Sequence, residues 1–300
     1  MKKKTYLFAL MAMALTLGSC SDNENGIGGE TSKYITVSTS IGNMTRVATD
    51  EKGGQTFEEG DEISVYAWTG DATVAPETRE RVVNNAINKL TNGSWISTPQ
   101  MLWKNNRDKH YFIGVYPTAV ISDLSAGEYT FDVNKQTESD LLVAVNKDGL
   151  SYNVDEQQPV PLTFTHVMAK LVVNLTYKNQ WGGIPTVEKV VVGNAAKEAT
   201  INYLTKVVTP STTAKEDFSL PEITENTKYV SVIIPQEEVT QLTIVIGGKN
   251  FVYDNGTPFK LESGKITTVN LEVGRDEIKL GDVKITNWED GSTFSGEALN

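Results

Sequence analysis

The chain has 300 residues, with 27 basic and 38 acidic side chains and a formal net charge of −11 at pH 7. This acidic balance argues against nucleic acid or an anionic lipid surface as a partner, because either one requires a basic patch. One cysteine and two histidines are too few for an internal disulfide or for a zinc site built from histidine and cysteine. The length suffices for one large or two ordinary domains with buried cores.

The N-terminus has the order of a secretory signal peptide. Three lysines at positions 2–4 precede an apolar run over residues 6–17, which is too short to span a membrane. The following Gly18-Ser19-Cys20 completes a match to a bacterial lipobox, so we predict that residues 1–19 are removed and that Cys20 is acylated. The alternative is an unpaired surface thiol. Several acyl chains, at about 0.8 kcal/mol per buried methylene, would hold the protein on a membrane.

Residues 20–32 have the composition of a flexible polar tether, with Ser21 to Asn25 polar or acidic and three glycines after them. Without residues 1–19 the mature chain keeps 24 basic and all 38 acidic side chains, a net charge near −14. No second apolar run approaches the length of a membrane span. The acylated cysteine is therefore the only anchor that the sequence predicts.

The first half of the remaining chain predicts short strands. Alternating or β-rich segments lie at 34–41, 62–68, 86–96, 110–116, 129–133 and 141–145. Asn92-Gly93 inside the third segment is a strong hairpin signal, because both turn positions require positive φ. The one segment with helical character, 78–90, has weak periodicity and two adjacent asparagines, which disfavour a helix.

A charged, polar and proline-containing stretch at 155–161 predicts a boundary between two compact units. We therefore expect an N-terminal domain over 33–157 and a C-terminal domain over 158–300. The second half predicts strands at 162–177, 189–192, 229–234, 242–246, 251–253, 265–273 and 283–288. Many short strands separated by turns predict an all-β protein of two β-sandwiches in tandem.

The sequence contains no motif for an enzyme, a metal site or a cofactor. His110 and His166 lie inside predicted strands, and neither an HExxH nor a GxSxG motif is present, so both histidines are interpreted as structural. Paired carboxylates such as Glu58-Glu59 are interpreted as solvated loop charges, although a glycosidase pair can lie far apart in sequence. The five tryptophans fit a sandwich core better than a platform for sugar rings. They are Trp68, Trp95, Trp103, Trp181 and Trp288.

Several segments together resemble the fimbrillin family, the shaft and accessory pilins of Bacteroidetes. The signature that opens the C-terminal domain of that family resembles residues 164–173. The other matching segments are, in chain order, Thr45-Arg46, Phe57 with 60–66, 111–117, Gln136 with 140–144, 264–266, 269–271 and 285–288. The acidic stretch behind Cys20 also resembles the signal that sends lipoproteins of these bacteria to the outer face of the outer membrane.

The resemblance implies two transthyretin-like (Greek-key) sandwiches and a lipidated precursor that reaches the cell surface. It further implies that an arginine-specific protease removes the N-terminal strand and that a strand from a neighbouring subunit fills the groove. The implied partners are other pilin subunits, this protease, the outer membrane through the lipid, and a host or bacterial surface ligand. No cofactor, metal or catalytic residue is implied.

On this chain, cleavage after Arg46 would release Cys20 together with the strand that carries Tyr34, Ile35, Val37 and Ile41. Exposed loops of small polar residues, such as the one after this strand, are where proteases cut. Other arginines also lie in predicted loops or strand ends, namely Arg79, Arg81 and Arg107. Only a cut at Arg46 would leave both sandwiches whole. Burying four side chains of an incoming strand would contribute roughly 6–12 kcal/mol before ordering costs.

The donor strand is predicted near the C-terminus, where Val283 and Ile285 alternate with polar residues before Trp288. A frayed terminus is the alternative for the polar residues that follow. Two other functions share the lipobox and the sandwich fold. One is a surface glycan-binding lipoprotein, which needs a pair of exposed tryptophans beside a cleft. The other is a fimbrial anchor subunit that is not cleaved and keeps Cys20.

Overall fold

The computed structural model describes residues 33–42, 56–153 and 158–288, and these form an all-β protein, as the sequence predicts. Helical structure within these ranges is limited to single turns at Thr78–Glu80, Gln136–Ser139 and Asn179–Trp181. The strands are β1 (Val37–Ile41), β2 (Glu62–Thr69), β3 (Arg81–Thr91), β4 (Ser94–Thr98), β5 (His110–Tyr116), β6 (Gly127–Thr130), β7 (Leu142–Leu150), β8 (Val160–His166), β9 (Ala169–Tyr177), β10 (Val187–Ala196), β11 (Glu198–Asn202), β12 (Val207–Pro210), β13 (Lys215–Ser219), β14 (Glu222–Thr224), β15 (Lys228–Ile233), β16 (Gln236–Ile246), β17 (Lys249–Leu261), β18 (Lys265–Val273) and β19 (Ile278–Asn287).

The N-terminal half forms a seven-stranded sheet in the order β1-β8-β7-β5-β2-β3-β4. Neighbouring strands are antiparallel except for β1 and β8, which run parallel. Large apolar side chains from β2, β5 and β8, among them Val65, Phe112 and Phe164, form one buried cluster. Ile35 and Val37 belong to the same cluster, so the first strand helps to build the core of this sheet.

The sheet curls until its two edges approach each other. Tyr34 and Leu102 form an isolated antiparallel bridge, and the Ile35 N–H donates to the Met101 carbonyl oxygen at 2.9 Å. The Trp103 N–H donates to the Lys33 carbonyl oxygen at 3.1 Å. The segment before β1 therefore closes the seam between β1 and the chain that follows β4.

The C-terminal half contains a five-stranded sheet in the order β14-β15-β9-β18-β19 and a four-stranded sheet in the order β13-β10-β16-β17. Buried residues of both sheets share one core, for example Leu171 and Val269 from the first sheet and Val190 and Ile244 from the second. A three-stranded sheet, β12-β11-β6, pairs strands from both halves of the chain. The core continues from it to Tyr66 and Trp68 of β2.

Most predicted strands are present, and one prediction needs correction. The segment 78–90, where the sequence disfavours a helix, is a three-residue helical turn followed by β3, and β3 and β4 form the predicted hairpin at Asn92 and Gly93, whose φ values are 52° and 73°. The predicted single strand over 162–177 is wrong. It is two strands, β8 and β9, because the chain passes from the seven-stranded to the five-stranded sheet at Val167-Met168. The chain thus remains in the first sheet beyond residue 157.

Candidate functional site

The first strand is held as an edge of the seven-stranded sheet. Its register pairs Val37 with Val160, Thr39 with Leu162 and Ile41 with Phe164. Ile35 and Val37 are 2% and 6% exposed, Ile41 is half-buried, and the alternate positions face solvent. We call residues 33–42 the leading segment. It inserts a row of apolar side chains into the core, whereas the predicted site residue Tyr34 is 46% exposed and lies outside that row.

The leading segment pairs with β8, whose alternate residues Val160, Leu162 and Phe164 are buried. Gly114 of β5 makes room for Phe164, because a Cβ on Gly114 would lie 2.6 Å from the Phe164 ring. Space for a large ring is thus created by the absence of a side chain on β5, which lies beyond β7 in the sheet. The glycine is required for close approach of the ring and has no positive φ.

Side-chain hydrogen bonds fix the leading segment on both sides. The Trp95 Nε1–H of β4 donates to Thr39 Oγ1 at 3.0 Å, and the Ser40 hydroxyl donates to Thr163 Oγ1 of β8 at 3.2 Å. The segment is therefore bonded to β8 on one side and to residues of the β3–β4 hairpin and the chain after it on the other. Its departure would open both contacts together.

The leading segment ends at Gly42, whose N–H donates to the Phe164 carbonyl oxygen at 2.8 Å. The next described residues begin at position 56, and Arg46 lies outside the described residues. Phe57 packs edge-on against Trp95, Tyr116 and Phe164, with ring centroids 5.1–5.4 Å apart. The stretch that contains Arg46 is thus tied at one end to β8 and at the other to this aromatic cluster.

The other candidate arginines differ in their surroundings. Arg79 is exposed and pairs with Glu77 at 2.9 Å. Arg81 is buried in β3 and donates to the carbonyl oxygens of Ile121 and Ser122, each at 2.6 Å. Arg107 is exposed in the loop before β5. The Arg81 side chain is buried and hydrogen-bonded, so a protease that binds an arginine side chain cannot reach it in the folded protein.

The predicted donor residues lie apart from the leading segment. β19 pairs with β18 at the edge of the five-stranded sheet, with Val283 opposite Val269 and Ile285 opposite Thr267. Val283 and Ile285 are 37% and 38% exposed. Trp288 is buried instead, and its ring stacks on His166 at the end of β8. Cys20 and residues 289–300 lie outside the described residues.

The two histidines have structural partners. His110 Nε2 accepts from the Lys104 N–H at 3.0 Å, and Nδ1 lies 3.1 Å from the Asp108 carbonyl oxygen. Burial lowers the pKa of His110 below its ordinary value of 6.5. His166 Nδ1 lies 2.7 Å from Asp140 Oδ1. Among the described residues, no group of three or more His, Cys, Asp or Glu side chains could hold a metal ion.

A groove of about 410 Å³ lies where the leading segment ends. Its lining includes Ile41, Phe57 and Tyr116 from the first sheet region, and His166 and Lys170. Burial raises the pKa of Tyr116, and the nearby Asp61 carboxylate raises this pKa further.

The described parts of the chain include no helix of the length and apolarity that a membrane span requires.

The tryptophans do not form a sugar platform. Trp68 and Trp288 are buried, and Trp95, Trp103 and Trp181 are each partly buried. Trp103 packs edge-on against His110 and Phe112. The described residues therefore contain no pair of exposed, coplanar tryptophans, the feature that the glycan-binding alternative needs.

A sequence profile described as fimbrillin-like matches residues 45–288. The chain belongs to the fimbrillin-like family. A proposed fimbrium subunit of Bacteroides uniformis, Fim1C, is 26% identical over 318 aligned positions, which cover 97% of this chain and 97% of that protein. This fimbrillin-like protein is therefore related along nearly its whole length to a protein described as a fimbrium subunit.

Solved structures share the fold of this fimbrillin-like chain. A proposed cell adhesion protein from Bacteroides uniformis has a TM-score of 0.63 at 20% identity, over 86% of this chain and 100% of that one. The tip fimbrial protein Mfa3 from Porphyromonas gingivalis, with a C-terminal truncation, has a TM-score of 0.50 at 10% identity, over 77% and 95% of the two chains. At these identities the likeness establishes the fold alone.

The sequence predicts a strand at 34–41 but not the residues that enclose it in the structure. The segment at Met101 to Trp103 and the hydrogen bond from Trp95 to Thr39 carry no sequence signal, because they depend on how far the sheet curls. Phe57 is singled out in the sequence only by the family resemblance. Its isolated position after several glycines and polar residues gives no periodic pattern from which its burial could be derived.

Proposed function

We propose that this protein is a structural subunit of surface fimbriae, built of two transthyretin-like sandwiches in tandem, that supports adhesion. It is exported as a lipoprotein precursor with acylated Cys20, is held on the outer face of the outer membrane, and is cleaved after Arg46. Subunits then assemble by strand exchange into an extracellular fimbrium. Family membership and the relationship to a proposed fimbrium subunit support the fimbrial role.

The observation that carries the mechanism is the placement of the leading segment. It is an edge strand, it buries Ile35 and Val37, and it is followed directly by the stretch that contains Arg46. A cut after Arg46 leaves the segment attached through non-covalent contacts alone. The same cut separates the folded domains from Cys20, so the subunit loses its anchor when its acceptor site becomes able to open.

Departure of the leading segment would leave a groove that can accept another strand. The free edge of β8 would present unpaired backbone groups, and the pockets vacated by Ile35 and Val37 would be apolar. Such an edge is a template for β-strand addition, in which main-chain bonds give affinity and alternate side chains give specificity. Each buried aliphatic side chain of an incoming strand would contribute about 1.5–3 kcal/mol. No cofactor is needed for this assembly.

We propose β19 as the source of the incoming strand, with Val283, Ile285 and Trp288 as the donor residues. Val283 and Ile285 alternate as Ile35 and Val37 do, and both are partly exposed where they now lie. A donor of this kind would come from a neighbouring subunit. The polymer would therefore contain copies of this chain or of related subunits.

The test is to treat the purified precursor with an arginine-specific protease and to follow the products by unheated gel electrophoresis and mass spectrometry. We expect cleavage after Arg46 and a ladder of oligomers. Arg46→Ala should abolish both, whereas the matched variant Arg107→Ala should change neither. A uniform monomer after complete cleavage at Arg46 would refute the assembly mechanism. A wild-type chain that resists cleavage at Arg46 while folded would instead indicate an anchor subunit that keeps Cys20.

A further inference from the structure

The C-terminal strand β19 ends at a junction with β8, the strand on which the leading segment lies. Trp288 follows β19 directly, and His166 is the last residue of β8. Their rings stack with centroids 4.1 Å apart and planes 8° from parallel, and both side chains are buried. The proposed acceptor strand and the proposed donor strand therefore meet through one aromatic pair.

Backbone hydrogen bonds link Trp288, through the turn at Gly264, to Met168, two residues beyond the end of β8. The Gly264 N–H donates to the Met168 carbonyl oxygen at 2.9 Å, and the Trp288 N–H donates to the Gly264 carbonyl oxygen at 3.0 Å. Gly264 has φ +66°, and a Cβ on it would lie 3.0 Å from the His166 carbonyl oxygen. A glycine here lets the turn approach the end of β8 closely, so this end and Trp288 form one hydrogen-bonded group.

The leading segment touches the other side of this group. Ile41 lies opposite Phe164, and the Gly42 N–H donates to the Phe164 carbonyl oxygen, two residues before His166. Ile41 and His166 also line the same groove, together with Asp140, which pairs with His166. If the leading segment left, the end of β8 would lose a neighbouring strand, and the groove that His166 lines would lose Ile41 from its wall.

Trp288 gives the C-terminal strand a buried contact at its end. Within residues 278–288 it is the one buried residue, since the others are partly buried or exposed. The Lys170 ammonium also lies 5.6 Å from the centre of the Trp288 ring. β19 also pairs with β18 along its length and packs Ile278 and Leu280 partly into the core, so Trp288 adds the one fully buried contact, at the end of the strand.

We propose that His166 and Trp288 are positioning residues that hold β19 on its own subunit while the leading segment is in place, and that loosen it when the leading segment departs. This inference rests on the proposed function. It adds that the donor strand is released only after the leading segment has departed. A precursor keeps both its acceptor edge and its donor strand occupied. A subunit that has been cleaved and has lost its leading segment has both the acceptor edge and the donor strand free for assembly. The coupling is a difference in the stability of β19 between two states of β8.

Hydrogen exchange of the intact precursor, read by mass spectrometry over residues 279–288, tests the coupling without any assembly. Val37→Ala weakens the leading segment, and we expect it to speed exchange over 279–288 roughly two- to tenfold, the range that loss of an aromatic pair allows. Val83→Ala is the matched control, because Val83 is 5% exposed in the same core but lies on β3. It should leave 279–288 at the wild-type rate.

Trp288→Leu supplies the second arm. It should speed exchange over 279–288 by itself, and adding Val37→Ala to it should give no further increase. Equal exchange in Val37→Ala and Val83→Ala would overturn the coupling. Oligomer formation by the cleaved wild type is scored separately. Coupling without oligomers would contradict the proposed function alone, and oligomers without coupling would contradict this inference alone.

Discussion

The ring of Phe57 lies edge-on against the ring of Phe164, with centroids 5.1 Å apart. Phe164 is the residue of β8 that pairs with Ile41, and Phe57 is among the first described residues after the stretch that contains Arg46. The described residues Gly42 and Phe57, on either side of that stretch, therefore both contact Phe164. Gly42 bonds to its backbone, and Phe57 packs on its ring. After the proposed cut, Phe57 would remain packed beside the position that the leading segment occupies.

Ile35→Ala should destabilise the protein by about 2–5 kcal/mol, because it removes a buried aliphatic side chain and leaves a cavity in the first core. Denaturant unfolding at pH 7, followed by tryptophan fluorescence, measures the change. Tyr34→Ala is the control next to it in sequence, and we expect it to change the free energy of unfolding by under about 1 kcal/mol, since Tyr34 is exposed. Equal effects of the two variants would contradict the inward orientation of Ile35.

Gly114→Ala should cost about 1–3 kcal/mol, because the added methyl would lie 2.6 Å from the Phe164 ring, which packs in a full core. Gly193→Ala is the matched control. Its added methyl would lie 2.9 Å from the end of the Gln241 side chain, which can move. We expect Gly114→Ala to lower the unfolding midpoint clearly more than Gly193→Ala. The reverse order would contradict the packing of Phe164 against β5.

Most strands could be predicted from the sequence, because alternation, as in β8, and short runs of β-branched and aromatic residues, as in β2, are local features. The pattern over 34–41 predicts a strand that carries Ile35 and Val37, whereas the insertion of this strand into a groove is implied only by the family resemblance. The division of 162–177 into two strands could not be predicted, because Val167 and Met168 are apolar like their neighbours and the change of sheet is a tertiary event. The parallel pairing of β1 with β8 is equally hidden, since more than 100 residues separate them.

The sequence predicts which residues of the candidate site are buried, but not which of them contact each other. Burial of Trp288 was predicted from the preference of sandwiches for core tryptophan, but its stack on His166 was not. The stack joins residues from the ends of β8 and β19, and neither strand carries a pattern that names its partner. Contacts that depend on where two strand ends meet are set by the fold as a whole.

Acidification should destabilise the protein through His110. Its Nε2 accepts a hydrogen bond from the Lys104 N–H, so the folded state holds the imidazole neutral, and burial lowers its pKa below 6.5. Below the unfolded pKa of about 6.5 the unfolded chain binds the proton more readily, so stability falls as pH falls from there toward the folded pKa. Stability above pH 7 should be independent of this group.

Unfolding free energies of wild type and His110→Gln between pH 7.5 and pH 5.5 measure this effect. We expect the difference between the two proteins to shrink as pH falls, because glutamine can accept the Lys104 N–H and does not titrate. His166→Gln, measured in the same way, is the control that shows whether the pH dependence belongs to His110. A difference between wild type and His110→Gln that does not change with pH would contradict the neutral form of His110.

The hydrogen bond from Trp95 Nε1 to Thr39 Oγ1 should contribute about 0.5–1.5 kcal/mol to the retention of the leading segment. A double-mutant cycle isolates it: Trp95→Phe removes the donor, Thr39→Val removes the acceptor, and the coupling energy is the non-additive part of their effects on unfolding. The same four proteins, cleaved after Arg46, should release the N-terminal peptide faster when either partner is absent, because only non-covalent contacts then hold it. Strictly additive effects would mean that the indole and the hydroxyl do not interact across the seam. Since this bond joins the leading segment to β4 and not to β8, a measured coupling would also establish that the seam is closed in solution.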